Sequence, residues 1–263
     1  MTRARSAAWL LRTRGRRGAA GTRILFYHRV ADDGDVLAVS RAAFAAQMRL
    51  LARAGFGVVE LAELSRRLAA GDDDPALLGL SFDDGYLDVA ENAAPILAEH
   101  GFTASVFVAT EVTSGRAAFT WYERQPPLIS WDLMRSLDRE GPLRFEAHTR
   151  THPNLLRVDD ARASEEIVGG KVELEQQLGR AVDVFCYPAG LFGERERGLA
   201  ATAGFRAAVS CEPGVNTRET DPFALRRIQV DARDSLLDVR AKVSGGHDTP
   251  LRLRTAWRRA RYA

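Results

Sequence analysis

The run Leu77-Leu78-Gly79-Leu80-Ser81-Phe82 passes without a linker into Asp83-Asp84-Gly85. Six compact, mostly apolar residues without strict alternation suit a strand buried on both faces, as in a parallel sheet. Two carboxylates and a turn glycine then stand at its C-terminal end, where parallel β/α folds carry their chemistry. The same grammar recurs on both sides. Further strand candidates are Arg23–His28, Gly57–Glu60, Ala104–Ala109, Leu143–Ala147, Asp183–Tyr187, Arg206–Ser210 and Leu225–Val230. Between them lie helix candidates at Arg41–Ala54, Asp88–His100, Ser130–Arg139, Asp159–Leu178 and Glu194–Ala203, several with a Ser or Asp at the start and a Gly at the end. Repeated strand-then-helix order in a chain of 263 residues predicts an α/β fold, a (β/α) barrel in a single domain. An open doubly wound sheet is the alternative, but no glycine-rich phosphate loop follows the first strand.

Composition agrees. Hydrophobic residues make up 46% and charged residues 27%, ordinary values for a globular chain. The net charge of +2 argues against a nucleic-acid partner. Charge is uneven, however. Residues 1–31 hold eight arginines and no acid, and five arginines follow Asp248. The expected organisation is a basic tail over 1–22, the barrel over 23–245 and a second basic tail over 246–263. Such ends can touch an anionic membrane surface, although solvated tails are the plainer reading. No run approaches the 18 or so apolar residues of a membrane span. Ala7-Ala8-Trp9-Leu10-Leu11 is shorter than the roughly 7–15 residues of a signal-peptide core. The expected location is therefore cytoplasmic, or peripheral at the inner membrane face, with export the alternative although no clear signal peptide is present. Cys186 and Cys211 are expected as free buried thiols. Nothing in the sequence sets an oligomeric state.

Three strand ends are chemically loaded. Asp83 and Asp84 are adjacent and project differently, so one can bind a metal while the other serves as a base. His148-Thr149-Arg150-Thr151-His152-Pro153 carries two imidazoles four residues apart, able to meet on one metal if the segment is tightly turned. Pro153 disfavours the α region at His152, which predicts a single turn. Tyr187-Pro188-Ala189-Gly190 is a turn whose backbone N–H groups can face an oxyanion. One carboxylate and two imidazoles make an open three-ligand site, and a second carboxylate supplies a base. That combination reads as metal-assisted hydrolysis of an acyl group.

In order and spacing, Ser81-Phe82-Asp83-Asp84-Gly85, the histidine segment and Tyr187-Pro188-Ala189-Gly190 resemble the first three motifs of the polysaccharide deacetylases, the chitin-oligosaccharide deacetylase-like enzymes of carbohydrate esterase family four. Tyr27-His28-Arg29-Val30, Trp131-Asp132 and Leu225-Arg226-Arg227-Ile228 extend the resemblance over about 23–230. It implies a distorted (β/α) barrel of seven to eight strands. It implies a divalent metal, usually zinc (with cobalt, nickel or manganese as alternatives), on Asp84, His148 and His152. It implies Asp83 as the base toward water, and the Ala189 N–H as an oxyanion donor, since Pro188 has none. The implied substrate is an acetylated sugar or glycan, a glycolipid or a sugar precursor, losing an N-acetyl or O-acetyl group.

The chain departs from the family at two points. The third motif commonly carries an arginine that orients the base; here it reads Phe185-Cys186-Tyr187-Pro188, and Arg227 is the candidate replacement. The family's late Leu-X-His-Asp motif has only Ser244-Gly245-Gly246-His247-Asp248 as a counterpart. This reads as a loop; His28, at the end of the first strand, is the better candidate for a catalytic histidine on the active-site face and is equally able to be a satisfied core histidine, which leaves the general acid unassigned. Two other functions remain in view: an amidase acting on a non-sugar amide, and a non-catalytic glycan-binding protein with a decayed site. Trp121, Tyr122 and Trp131 are either sugar-stacking aromatics or loop anchors. Asp72–Asp74 reads as a solvated turn.

Overall fold

A computed structural model describes residues 21–246 together with Ser6, Ala7 and Trp9. Its frame is a parallel sheet of β1 (Arg23–Tyr27), β4 (Gly57–Val59), β5 (Leu77–Phe82), β6 (Ala104–Val108), β7 (Leu143–Ala147), β8 (Val184–Cys186), β9 (Ala207–Val209) and β10 (Ile228–Gln229). The order is β10-β1-β5-β6-β7-β8-β9, and β4 pairs with the first half of β5. The sheet curls until its ends approach. Leu225 bridges to Val209, and the Arg227 N–H donates to the Glu212 carbonyl at 2.9 Å. The fold is thus the distorted α/β barrel that the strand pattern predicts. Each strand candidate forms, shorter by a residue or more at most ends. The exception in length is Leu225–Val230, which is regular strand only at Ile228–Gln229.

Strand periodicity of two sets what faces inward. Ile24, Leu77, Phe107, Val184, Cys186, Val209 and Leu225 form one buried cluster. Leu25, Tyr27, Leu78, Leu80, Phe82, Val106, Phe145, Phe185 and Ile228 belong to a second, larger one that packs under the helices. The helix Leu61–Ala69 brings Leu61, Leu64 and Leu68 into the inner cluster. Gly79 makes room for it: a Cβ there would lie 2.6 Å from Leu61 Cδ2. This helix closes the N-terminal end of the barrel and leaves the C-terminal ends to the site.

The predicted helices form at Arg41–Arg53, at Trp131–Glu140 and at Glu194–Thr202. Two contain wide π turns: Val89–Ala93 precedes Ala94–Glu99, and Glu165–Gly169 lies between Asp160–Ser164 and Gly170–Leu178. A further helix, Leu236–Ser244, buries Asp238, whose Oδ1 accepts from the Ser6 hydroxyl at 2.5 Å. Ser6 is fully buried, so this part of the predicted N-terminal tail packs on the fold. Two-residue strands β2 (Arg29–Val30) and β3 (Ala38–Val39) pair beside the barrel mouth. Asp72–Asp74 is a loop that leads into a turn at Pro75-Ala76, where Asp74 Oδ1 accepts from the Ala76 N–H at 2.7 Å. Both cysteines are free and buried. Among the described residues no helix is long and apolar enough to cross a membrane. His247 and Asp248, and the arginine-rich ends apart from Ser6, Ala7, Trp9 and residues 21–31, lie outside the described residues.

Candidate active site

The inward phase carries residues into the site: past the strand ends Phe26 leads to His28, Ser81 to Asp83 and Val209 to Cys211, and Arg227 leads to Gln229 in the last strand. Asp84 is out of phase and reaches the site by a backbone turn instead. Its φ is 72° and that of Gly85 is 70°. Asp84 Oδ1 then lies 3.7 Å from His148 Nε2 and 3.8 Å from His152 Nε2. The Tyr86 hydroxyl donates to Asp84 Oδ2 at 3.2 Å. The non-glycine residues with positive φ among those described are Asp84, Thr149, His152 and Ala189. All belong to the three motifs, where such backbone persists only under strong local constraint.

The two histidines are fixed differently. His148 Nδ1 lies 2.7 Å from the Cys186 carbonyl, so Nδ1 carries the proton and Nε2 presents its lone pair to Asp84. The His152 N–H donates to Thr149 Oγ at 3.0 Å. Its ring meets the edges of Trp121 and Phe119 at centroid distances of 4.9 and 5.7 Å. Burial pushes His148 down to about 4, and burial with the His148 neighbour holds His152 well below the usual histidine range. Both rings are therefore neutral, the form that ligates metals. Burial, and the Asp83 charge beside it, raise the Asp84 carboxyl well above the usual range. The donor atoms of Asp84, His148 and His152 all lie within 4.8 Å of one another. Two bonds of about 2.0–2.2 Å can span the 3.7 and 3.8 Å separations. The donor set therefore fits one divalent cation.

Asp83 faces a different partner. Arg227, fully buried, grips both carboxylate oxygens: Nη1 donates to Oδ1 at 2.6 Å and Nη2 to Oδ2 at 2.8 Å. The guanidinium is itself held by the Ser210 carbonyl (2.8 Å from Nε) and by Ser81 Oγ (3.2 Å from Nη1). It lies over the Phe26 ring, 4.4 Å from its centroid. Cys186 Sγ sits 3.0 Å from Nη2. The third motif thus places a thiol against the arginine that comes from the opposite side of the sheet closure. Burial alone would raise Asp83, but Arg227 outweighs it and keeps the carboxyl below its ordinary value, hence charged.

These groups line one cavity of about 310 Å³. His28, Asp83, Asp84, His148, His152 and Ala189 all reach it. Arg227 acts behind the wall, through Asp83. His28 is half-buried; burial lowers its pKa, and Asp83 pulls the other way. Of the third motif only Ala189 lines the cavity. Tyr187, Pro188 and Gly190, expected there as substrate contacts, are buried supports of the turn instead. The Tyr187 hydroxyl donates to the Phe223 carbonyl at 3.0 Å and its ring stacks on Phe192 at 4.4 Å. Pro188 is buried and opens the turn. Gly190 has φ 69°, and a Cβ there would lie 2.5 Å from the Cys211 backbone nitrogen.

Trp121 and Tyr122 line the cavity as well. Trp131 does not; its indole N–H donates to Ser114 Oγ at 3.2 Å, which is an anchoring contact. The sequence reading passed over Asp35, Tyr86 and Gln229. Gln229 shares the strand phase of Arg227, a signal that was available. Asp35 accepts from the Tyr122 hydroxyl (2.7 Å) and Arg29 Nη1 (3.0 Å), tying two loops together at the mouth. No local sequence pattern announces that bridge.

Residues 70–208, just over half of the chain, match the polysaccharide deacetylase family. YxkH of Bacillus subtilis (strain 168), provisionally named a polysaccharide deacetylase, is 27% identical over 209 residues, which is 79% of this chain and 70% of that protein. Among solved structures, IcaB from Ammonifex degensii is 26% identical with a TM-score of 0.75, covering 86% of this chain and 98% of its own. The Streptococcus pyogenes deacetylase PplD, solved with acetate, shares the fold at 21% identity and a TM-score of 0.74, covering 86% and 99%. By this family match, with the three motifs gathered at one barrel end, the chain belongs to the polysaccharide deacetylases.

Proposed function

We propose that the protein is a metal-dependent hydrolase that removes acetyl groups, N-linked in the first instance, from a glycan, glycolipid or sugar precursor. One observation carries this reading: a charged, arginine-held carboxylate (Asp83) and a three-donor group (Asp84, His148, His152) share one cavity. Zinc is the favoured cation from the His₂Asp donor set, with cobalt, nickel or manganese as alternatives. A bound divalent cation would supply Lewis-acid polarisation and lower the pKa of water. The chain's own residues do the rest. Asp83 takes a proton from the attacking water, and Arg227 fixes that carboxylate's orientation and keeps it ionised. The backbone N–H of Ala189 is the proposed donor to the oxygen that gains charge on the acetyl carbonyl. His28 is the proposed acid that protonates the departing amine as the C–N bond breaks, leaving acetate and a free amine. The cavity is at the small end of ligand sites, which suits entry of the acetylated unit alone.

The glycan-binding alternative drew on the missing arginine of the third motif and on the displaced late histidine motif; Arg227 on Asp83 removes the first of these reasons. Attachment to a membrane through the arginine-rich ends, and location at its inner face, belong to the proposal on the strength of the sequence.

Acetate release from a panel of N-acetylated sugars and oligosaccharides tests the reading. The wild type is expected to release acetate. Asp83→Asn is expected to keep its cation and lose about 10²–10⁴-fold in kcat. Tight glycan binding with no turnover by any cation-loaded form would return the reading to a binding protein.

A further inference from the structure

The histidine loop holds a backbone that resists holding. Thr149 and His152 both take left-handed φ, 69° and 59°. Such backbone is costly for a non-glycine residue and survives only where the surroundings over-determine it. Those surroundings converge on one side chain. Glu166 is fully buried. Its Oε2 accepts from the backbone N–H groups of Arg150 (2.9 Å) and Thr151 (2.8 Å). Its Oε1 accepts from Thr151 Oγ at 2.6 Å and pairs with Arg162 Nη2 at 2.6 Å. Three of these four bonds end on the two residues between Thr149 and His152.

Helix geometry points the same way. Glu166 sits in the π turn Glu165–Gly169, and such turns recur at functional sites. Just beyond it, Gly170 lets the helix touch the loop backbone: a Cβ there would lie 2.8 Å from the Thr149 carbonyl carbon. The helix is pressed against this loop, and its buried carboxylate at the contact is spent on the loop backbone, while Glu165 pairs with the Arg150 side chain.

We propose that Glu166 is a positioning residue for the cation site. By holding Arg150 and Thr151 it fixes the backbone that swings His152 Nε2 beside Asp84 and His148. The inference rests on the reading of those three residues as ligands. Supports behind a ligand typically matter by 10–100-fold in metal affinity. A merely stabilising Glu166 would instead lower the melting temperature and leave the affinity of the folded protein unchanged.

Cobalt(II) is the probe, with affinity read by chelator competition and geometry by its visible absorption. Glu166→Ala and Glu166→Asp are each expected to weaken cobalt about 10–100-fold and alter the spectrum. The aspartate variant carries the test if the alanine one does not fold. Glu166→Gln is expected to stay near wild type in both readouts, because its amide oxygen still accepts the two N–H groups. Arg162→Ala is expected to do likewise, since it removes the ion pair and leaves those bonds. Folded Ala and Asp variants with wild-type affinity and spectrum would overturn the proposal, as would a Gln variant as weak as Ala. A wild type that takes up no cobalt would overturn the ligand reading itself, and that failure shows before any variant is compared.

Discussion

Arg227 and Asp83 are 144 residues apart and make a two-bonded, buried ion pair. The pair does two things at once: it fixes where the base points, and it keeps the base charged in a buried place where burial alone would raise its pKa. Lysine cannot make the two-point grip. Arg227→Lys is therefore expected to lower kcat about 10²-fold through misplacement of the carboxylate. It should also move the acidic limb of the kcat profile to higher pH, because Asp83 loses part of the interaction that holds its pKa down. Unchanged kcat and an unmoved limb would mean that the arginine is a structural counter-ion only. The pair was half legible in the sequence. The absence of arginine at Cys186 raised the question, and Arg227 was the candidate. The closing of the barrel beside it, through Leu225, could not be read from local pattern.

At the scale of elements, the site depends on where backbones touch. Gly170 lies within a helix, where alanine ordinarily adds about 1 kcal/mol of stability. Here its Cβ would meet the Thr149 backbone at 2.8 Å. Gly170→Ala should thus lower the melting temperature and weaken cation binding together; a raised melting temperature would show that the helix and loop can part at little cost. The strands were legible because each is a short run of buried residues with a turn at its end. Other elements were not. Helix Leu61–Ala69 starts from an uncommon cap, Glu60, whose carboxylate accepts from the Ala62 and Glu63 N–H groups at 2.7 and 2.8 Å. Strands β2 and β3 are two residues long, held in part by the ion pairs of Arg29 with Asp33, Asp35 and Asp88. Neither carries a periodic signal. The three motifs were legible as groups gathered at strand ends because inward phase and backbone turns act within a few residues. Tyr187 misled, since Ala189 two residues on lines the cavity while Tyr187 faces the core.

Over the whole molecule, the floor of the barrel also holds a buried carboxyl, Glu146. Glu146 accepts from the Asp183 and Val184 N–H groups at 3.0 and 2.8 Å. Burial raises it to about 8, with Arg180 opposing. A carboxyl raised in the folded state binds a proton that the unfolded chain has released, so between about pH 4.5 and 8 its contribution to stability falls as pH rises. Glu146→Gln should flatten that part of the stability curve measured by denaturant unfolding; an unchanged slope would mean that Glu146 is ionised in the fold. The site at the other end poses the larger question, whether three donors gathered from two strand ends bind a cation. The direct measurement is metal content after incubation with zinc and desalting, for the wild type beside a His148→Ala/His152→Ala double variant. About one equivalent in the wild type and almost none in the variant is the result this structure predicts. No retained metal in either protein, or equal metal in both, would contradict it.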